Sequence, residues 1–211
     1  MTSSPRHELA VLYINGLGDG SIHAKDKLVQ KWWRQAGIHF HHAGVDWYDG
    51  KSFDDRLAEM TTEANELIAK SGRVAIIGSS AGGSLALSTF FELRDKNICA
   101  INAHGRLRKG DYTNHNSLHH RAHLDTDKPS QSFYDCVVHV ENEVLPNLTE
   151  QEKRLILVLS QLTDLVVPTE LMSIEGAKEH RSFAFGHLGG FLAHLLADRD
   201  FIIEFANKEL E

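Results

Sequence analysis

The chain has 211 residues, 42% hydrophobic and 24% charged, which is enough to bury the core of one globular domain. Its formal net charge of −7 disfavours nucleic acid and anionic membrane surfaces as partners. No apolar run approaches the roughly 20 residues that cross a bilayer, and residues 1–8 lack the apolar segment of a signal peptide. We therefore expect a cytoplasmic protein that folds as one domain over residues 1–211.

Segments typical of strands and helices alternate along most of the chain. Apolar and β-branched runs predict six strands, at residues 9–14, 38–45, 73–77, 98–101, 155–159 and 180–185. Apolar residues spaced three and four apart predict helices at residues 21–36, 53–68, 81–94, 133–145 and 190–207. We expect Trp32 and Trp33, in the first helix, to face the core. The order predicts an α/β fold, a three-layer sandwich in which about six mainly parallel strands carry helices on both faces.

Residues 104–130 interrupt this alternation with a polar, histidine-rich stretch that has no periodicity. Connections of this length are uncommon in compact domains and often carry function, so we expect an insertion over one end of the sheet. The insertion contains side chains whose spacings would suit metal ligands on a helix: His115, His119, His120, His123 and Asp125. Partner cysteines and an H-E-x-x-H pattern are absent, so we favour a solvated loop over a metal site.

The sequence Gly78-Ser79-Ser80-Ala81-Gly82 lies between the third predicted strand and the third predicted helix. Strand, G-x-S-x-G and helix, in this order, form the context of a nucleophile elbow, a sharp turn that exposes a serine hydroxyl at the end of a sheet. Gly78 and Gly82 are expected where the two backbones approach too closely for a side chain. Ser80 is therefore a candidate nucleophile.

A serine nucleophile needs a base, a group that orients the base, and donors for the developing oxyanion. Asp164 follows the most apolar predicted strand, and His187 follows the last one. Each alone has an ordinary interpretation, since an aspartate often caps a turn and the chain contains 14 histidines. Serine, acid and base at the ends of successive strands, in this chain order, predict a hydrolase site.

The loop Asn15-Gly16-Leu17-Gly18 follows the first predicted strand and is glycine-rich. Backbone N–H groups in this loop, and at the start of the helix after Ser80, are candidate donors for an oxyanion. The glycine spacing fits neither G-x-G-x-x-G nor a P-loop, which disfavours a nucleotide site. Asp19, just beyond the loop, is expected either to cap the first helix or to repel anionic substrates.

Taken together, these motifs resemble the α/β-hydrolase superfamily over nearly the whole chain, in the form of its small, compact serine hydrolases and esterases. The resemblance implies that Ser80 is the nucleophile, His187 the general acid/base and Asp164 the residue that holds the imidazole. It also implies an oxyanion hole at the backbone N–H groups of Leu17 and Ala81. The supporting loop residues would be Asn15, Gly16, Gly78 and Gly82.

The chain departs from the superfamily pattern at two positions. Asn15 stands where the oxyanion loop commonly has histidine, and Ser79 stands where histidine often precedes the nucleophile. The first predicted strand would correspond to the third strand of the superfamily, so the resemblance implies a sheet without the two N-terminal strands. Because the oxyanion donors are backbone groups, neither change removes a catalytic part.

The function implied by the resemblance is a serine hydrolase that cleaves a small, soluble carboxylic ester through an acyl-enzyme on Ser80. Such a mechanism requires no metal and no organic cofactor. Thioester, amide and lactone substrates remain open, since the nucleophilic parts are shared. The insertion lacks the apolar face of a lipase lid, which favours a small molecule over a lipid aggregate as the partner. The alternative is a non-catalytic small-molecule-binding or interaction module on the same fold.

Overall fold

Within residues 8–210, which the computed structural model describes, six parallel strands form one open sheet. They are β1 (Leu9–Ile14), β2 (His39–Ala43), β3 (Arg73–Ser79), β4 (Ile98–Ala103), β5 (Ile156–Thr163) and β6 (Lys178–Phe185). Their spatial order is β2-β1-β3-β4-β5-β6, and every neighbouring pair is parallel. The predicted fold class is confirmed. Residues 1–7, from which we argue against a signal peptide, lie outside the described part of the chain.

Helices cover both faces of this sheet. One face carries α1 (Ala24–Gln35), the π-helical turn Ala193–Ala197 and α9 (Arg199–Glu209). The other carries α2 (Phe53–Ser71), α3 (Ala81–Glu92), α5 (Gln131–His139) and the π-helical turn Val140–Val144 that continues α5. The remaining helices are short: α4 (Leu118–Arg121), α6 (Leu145–Asn147), α7 (Glu150–Arg154), the 3₁₀ turn Thr169–Leu171 and α8 (His187–Leu192). No helix between residues 8 and 210 has the length and apolar character needed to span a membrane.

The central strands are buried on both faces, which explains their continuous apolar sequences. In β1, Ala10, Leu12 and Ile14 pack into one hydrophobic cluster, and the alternate residues pack into the other. Strands covered on both faces lose the apolar–polar alternation of half-exposed strands. Because all the strands are parallel, the loops after β1, β3, β5 and β6 meet at one edge of the sheet. Ser80, Asp164 and His187 follow the carboxyl ends of β3, β5 and β6.

The last third of the chain differs from the predicted boundaries. β5 extends to Thr163, four residues beyond its apolar core, because Ser160 and Gln161 pair with β6 despite their polar side chains. The closing helix begins at His187 rather than Gly190, and the π-helical turn interrupts it before α9. Polar strand residues buried by tertiary contacts carry no periodic signal in the sequence.

The two neighbouring tryptophans of α1 occupy different environments. Trp33 is fully buried, and its Nε1–H donates to the carbonyl of Leu195 at 2.8 Å. Trp32 is 43% exposed, with the guanidinium of Arg199 lying 5.0 Å from the ring centre. The expectation that both face the core is therefore wrong for Trp32. Adjacent residues on a helix point about 100° apart, and only one of them can face the sheet directly.

The polar insertion is built around a buried cation. Arg106 is 1% exposed and donates through its guanidinium to the backbone carbonyls of Arg108, Lys109 and Asn116. Burial, with a smaller contribution from the charge of Arg121, lowers the pKa of Arg106 to about 10. The insertion also buries apolar side chains against the main core: Leu107, Leu118 and Ala122. It is thus tied to the domain by internal contacts rather than solvated along its whole length.

Substituting each tryptophan of α1 tests this account of the core. Trp33→Phe removes a buried donor and leaves the Leu195 carbonyl without it, so we expect a loss of about 2 to 4 kcal/mol in the free energy of unfolding. Trp32→Phe keeps an aromatic ring under Arg199 and should cost less than about 1 kcal/mol. Urea denaturation of both variants measures the difference. Equal losses would contradict the assignment of Trp33 to the core.

Candidate active site

Ser80 occupies a strained turn between β3 and α3. Its backbone angles, a φ of 53° and a ψ of −118°, lie in a region that residues other than glycine rarely adopt. A Cβ on Gly78 would lie 2.1 Å from the carbonyl oxygen of Gly82, and one on Gly82 would lie 2.4 Å from that of Ile14. Only glycine fits at both positions, which is the close approach expected from the sequence. The turn holds Ser80 at the carboxyl edge of the sheet.

The structure brings Ser80, His187 and Asp164 into one hydrogen-bonded chain. The Ser80 Oγ lies 2.7 Å from His187 Nε2, and His187 Nδ1 lies 2.8 Å from Asp164 Oδ2. Asp164 Oδ1 accepts from the backbone N–H groups of Val166 and Val167 at 2.7 and 3.0 Å. The Asp164 side chain is only 3% exposed. A carboxylate at Nδ1 requires a proton there, which leaves Nε2 free to accept the serine proton.

The pKa of Asp164 reflects two opposing influences. Burial would raise it, but the hydrogen bond and charge of His187, with the Val167 and Val166 N–H groups, outweigh burial and bring it below its ordinary value. Asp164 is therefore ionised throughout the neutral range. An ionised Asp164 keeps His187 in one tautomer and one orientation.

The loop after β1 is locked against the end of β2. The Asn15 side chain accepts from the Val45 N–H at 2.7 Å and donates to the Val45 carbonyl at 3.0 Å. The Trp47 indole N–H donates to the Asn15 carbonyl at 3.3 Å, and the Trp47 backbone N–H donates to the Gly18 carbonyl at 2.9 Å. A Cβ on Gly16 would lie 3.0 Å from the Cβ of Ser80. The loop therefore presents its backbone directly beside Ser80. Asn15 holds the loop in place through its two hydrogen bonds to Val45, which a histidine side chain would not form in the same way.

His104, the first residue of the polar insertion, lies beside Ser79 and His187 and lines the larger cavity at this site, as its place in the sequence predicts. It is 1% exposed, its Nε2 lies 3.2 Å from the Ser79 Oγ, and its ring stands edge-on to that of His187 with centres 4.7 Å apart. Burial, and then the charges of His187 and His194, hold the pKa of His104 well below the ordinary value. His104 is thus a neutral neighbour of His187. Its signal in the sequence is its position immediately after β4.

Two cavities flank Ser80. The larger has a volume of about 430 Å³, and its walls include His42, His104, Arg121, His123 and His187. The smaller has a volume of about 30 Å³ and is lined by Leu17, Ser80, Ala81, Arg106, Arg121, Phe133, Val166 and Val167. Leu17 and Ala81, the residues predicted to supply oxyanion donors, thus line the smaller cavity together with Ser80.

Asp19 lies on the wall of the larger cavity and does not cap α1. Its Oδ1 accepts from the Ser21 N–H at 3.0 Å, whereas the cap of α1 is His23, whose backbone N–H donates to Asp26 at 2.8 Å. The capping interpretation of Asp19 is therefore wrong, and Asp19 is an exposed residue of the cavity wall.

The insertion histidines do not converge. His119 pairs with Asp125 at 2.9 Å, and the ring of His123 stacks on that of Tyr48 with centres 6.0 Å apart. Between residues 8 and 210, no three side chains of the types that ligate metals are grouped as a metal site would require. His123 instead contributes to the wall of the larger cavity.

The depressed pKa of Asp164 predicts how stability depends on pH. A carboxyl group with a lowered native pKa stabilises the folded state above its unfolded pKa, about 3.9, and loses that contribution as pH falls through the native pKa. The difference in unfolding free energy between the wild type and Asp164→Asn should therefore be largest near about pH 7 and shrink below about pH 4. Urea denaturation across this range measures it, with the exposed Asp127→Asn as the control for losing one surface charge. A difference independent of pH would contradict the assignment.

Comparison with known proteins places the chain in a family. Residues 34–175, more than half of the chain, match the sequence profile of the prolyl oligopeptidase family. No curated protein matches the chain in sequence.

Solved structures resemble the whole chain at low sequence identity. A structure from work on LipS and LipT, two metagenome-derived lipolytic enzymes, is 14% identical, with a TM-score of 0.61 and coverage of 98% of both chains. Est1E from Butyrivibrio proteoclasticus is 15% identical with a TM-score of 0.58, covering 98% of this chain and 90% of its own. A meta-cleavage product hydrolase from Pseudomonas fluorescens is 19% identical with a TM-score of 0.56, covering 96% of this chain and 92% of its own. Identities this low establish the shared fold alone. The sequence match establishes more: the chain belongs to the prolyl oligopeptidase family, within the α/β-hydrolase superfamily.

Proposed function

We propose that this protein is a serine hydrolase that cleaves small, soluble carboxylic esters through an acyl-enzyme on Ser80. The observation that carries the proposal is the chain from Ser80 Oγ to His187 Nε2 at 2.7 Å and from His187 Nδ1 to Asp164 Oδ2 at 2.8 Å. These distances suit proton transfer from a serine to a base whose tautomer is held by a carboxylate.

In the proposed reaction, His187 Nε2 takes the Ser80 proton while Ser80 Oγ bonds to the ester carbonyl carbon. The resulting oxyanion accepts from the Leu17 and Ala81 N–H groups. The protonated His187 then donates to the alcohol oxygen as the C–O bond breaks, which leaves the acyl-enzyme. A water molecule repeats the sequence, releases the carboxylic acid and returns the proton to Ser80. Asp164 stays ionised throughout and stabilises the imidazolium.

The two cavities orient the substrate. The leaving oxygen must lie within reach of the imidazole that protonates it, and His187 lines the larger cavity. The alcohol part of the substrate therefore belongs in the cavity of about 430 Å³, and the acyl part in the cavity of about 30 Å³ beyond Ser80. The smaller space has room for about two or three heavy atoms, and its walls include Phe133, Val166 and Val167. A short acyl group, such as acetyl, fits there.

The larger cavity favours a polar alcohol. In the described part of the chain, neither ring nitrogen of His42 nor Nδ1 of His104 has a hydrogen-bond partner within the protein. Both residues are more than nine-tenths buried and both line this cavity. These nitrogens expose almost no surface, so the polar contacts open to a ligand come from other residues of the wall, which include Asp19, His23 and Arg121. Such a wall favours an alcohol that carries hydroxyl or carbonyl groups. We infer a short-chain ester of a polar alcohol as the substrate class.

Two alternatives lead to different results in the same assays. The family name refers to oligopeptides, and an amide would react through the same groups. A matched ester and anilide of one acyl group distinguish these substrates, and the proposal expects faster turnover of the ester. A non-catalytic binding module would cleave neither compound.

Covalent labelling tests the nucleophile. A fluorophosphonate probe should modify Ser80 in the folded protein, as located by mass mapping of peptides. Ser80→Ala should abolish the adduct, and His187→Ala should slow its formation by at least about 10³-fold because the serine loses its base. Ser84→Ala, which removes a buried hydroxyl one turn into α3, is the matched control and should react normally. No adduct on folded protein would reject the proposal and favour the binding module.

A series of p-nitrophenyl esters tests the acyl site. The ratio of kcat/KM for acetate over octanoate should exceed about 100, because the smaller cavity cannot accept a long chain. Val167→Ala widens that cavity and should raise the ratio of butyrate to acetate by about tenfold. Val137→Ala, a buried valine of α5 in the main core, should leave the ratio unchanged. Preference for the long-chain ester would show that the acyl group lies elsewhere.

A further inference from the structure

A second series of hydrogen-bonded polar side chains begins at Asp164 and is buried in the protein. The Gln161 amide nitrogen lies 2.5 Å from Asp164 Oδ2, and the Gln161 amide oxygen lies 3.2 Å from His194 Nε2. His194 Nδ1 lies 3.0 Å from Asp198 Oδ2. Gln161 is 2% exposed and His194 is fully buried. The mechanism above uses none of these three side chains.

Counting the donors and acceptors along this series indicates which ring nitrogens of His194 carry protons. Asp164 is ionised and can only accept, so the Gln161 group that faces it is the NH₂ and the group that faces His194 is the carbonyl oxygen. His194 Nε2 must therefore carry a proton. His194 Nδ1 faces the Asp198 carboxylate and also requires a proton, because the Ser182 hydroxyl beside it donates to Asp198. His194 is accordingly an imidazolium.

The surroundings of His194 agree with a single buried ion pair. The His104 ring stacks on it with centres 5.2 Å apart and is kept neutral by its own burial. Asp198 also faces His180, whose Nε2 lies 3.4 Å from its Oδ1. Ser182 and Asp198 both lie at Nδ1 of His194, so the imidazole cannot relay a proton from one to the other. Despite its residue types, this cluster is not a second nucleophilic site.

We propose that Gln161 is a positioning residue for Asp164, held at its far end by the buried His194 imidazolium and its partner Asp198. This inference deepens the proposed function and rests on it for its catalytic consequence. The N–H of Gln161 completes the hydrogen bonds of the Asp164 carboxylate, and the ion pair keeps the amide from rotating. Both Asp164 oxygens are then fixed, and with them the plane of the His187 ring.

Gly190 provides the space that Gln161 needs. A Cβ on Gly190 would lie between 2.6 and 2.9 Å from the three end atoms of the Gln161 side chain, whereas a Cβ on Gly189 would meet nothing within 4 Å. Both glycines belong to α8, where alanine is the better helix former by about 1 kcal/mol. The presence of glycine at residue 190 therefore has a steric reason: a side chain there would collide with the Gln161 amide, which donates to Asp164.

The paired variants Gly190→Ala and Gly189→Ala test the positioning role. The measurement is the rate of fluorophosphonate labelling of Ser80 between about pH 5 and pH 9. Gly190→Ala should displace the Gln161 amide, lower the rate at least about tenfold and move the acidic limb to higher pH, because an uncompensated Asp164 charge holds the His187 proton more tightly. Gly189→Ala should match the wild type in both rate and limb.

Gln161→Ala, alone and combined with Gly190→Ala, completes a double-mutant cycle that separates loss of positioning from a general loss of stability. It should reproduce the rate loss and the shifted limb, and adding Gly190→Ala to it should cause no further loss, since the crowded amide is gone. Additive losses, or a Gly190→Ala protein that behaves like Gly189→Ala, would overturn the proposal.

Nitrogen-15 NMR of the histidine rings tests the ion pair without any activity. At neutral pH, His194 should show protons on both ring nitrogens, with its signals assigned by their loss in His194→Gln. A His194 with one proton would overturn the inference even if Ser80 reacts. A wild type that is never labelled would instead reject the proposed function, while the NMR result still decides the state of His194.

Discussion

The buried, ionised carboxylate of Asp164 is the constraint on which the arrangement of the site depends. Removing a charge from water is costly unless donors replace the lost hydration. Here two backbone N–H groups, one amide and one imidazole surround the two oxygens. Three of these four donors come from the segment between Gln161 and Val167, so the end of β5 and the loop after it form a preorganised cradle. The fourth donor is His187, the proposed base, and its orientation follows from the cradle.

The other side of Ser80 is organised by the same physical rule. Asn15 closes hydrogen bonds with both backbone groups of Val45, and Trp47 donates to the carbonyls of Asn15 and Gly18. These contacts satisfy a loop that would otherwise leave polar backbone in a partly buried place. Val45 and Trp47 follow β2, which is the outer strand on the side of the sheet opposite β6. The segment after β2 therefore holds the loop beside Ser80. The strained φ of Ser80 is thus supported from both sides.

The sequence was sufficient to predict the fold class and to choose Ser80, Asp164 and His187. Continuous apolar strands, helical periodicity and glycine at close approaches are local signals, and their order implies which loops share an edge. Gln161 and His194 could not be found in this way. Gln161 lies in the polar last part of β5, which has no periodic signal, and His194 lies in a helical turn 33 residues later. The prediction for Trp32 was wrong for a related reason: residue spacing identifies the apolar face of a helix but does not show how wide that face is. Roles that depend on tertiary contacts leave little local trace.

The His194–Asp198 pair is better explained by orientation than by stability. A buried ion pair often contributes no more to folding than apolar residues of the same volume, since the desolvation of both ions offsets their attraction. Its lasting effect is directional, because an imidazolium between a carboxylate and an amide oxygen leaves the amide only one way to face. In this protein that direction points the Gln161 N–H at Asp164. A polar network that is completely satisfied can therefore specify a geometry that apolar packing, which is non-directional, would leave loose.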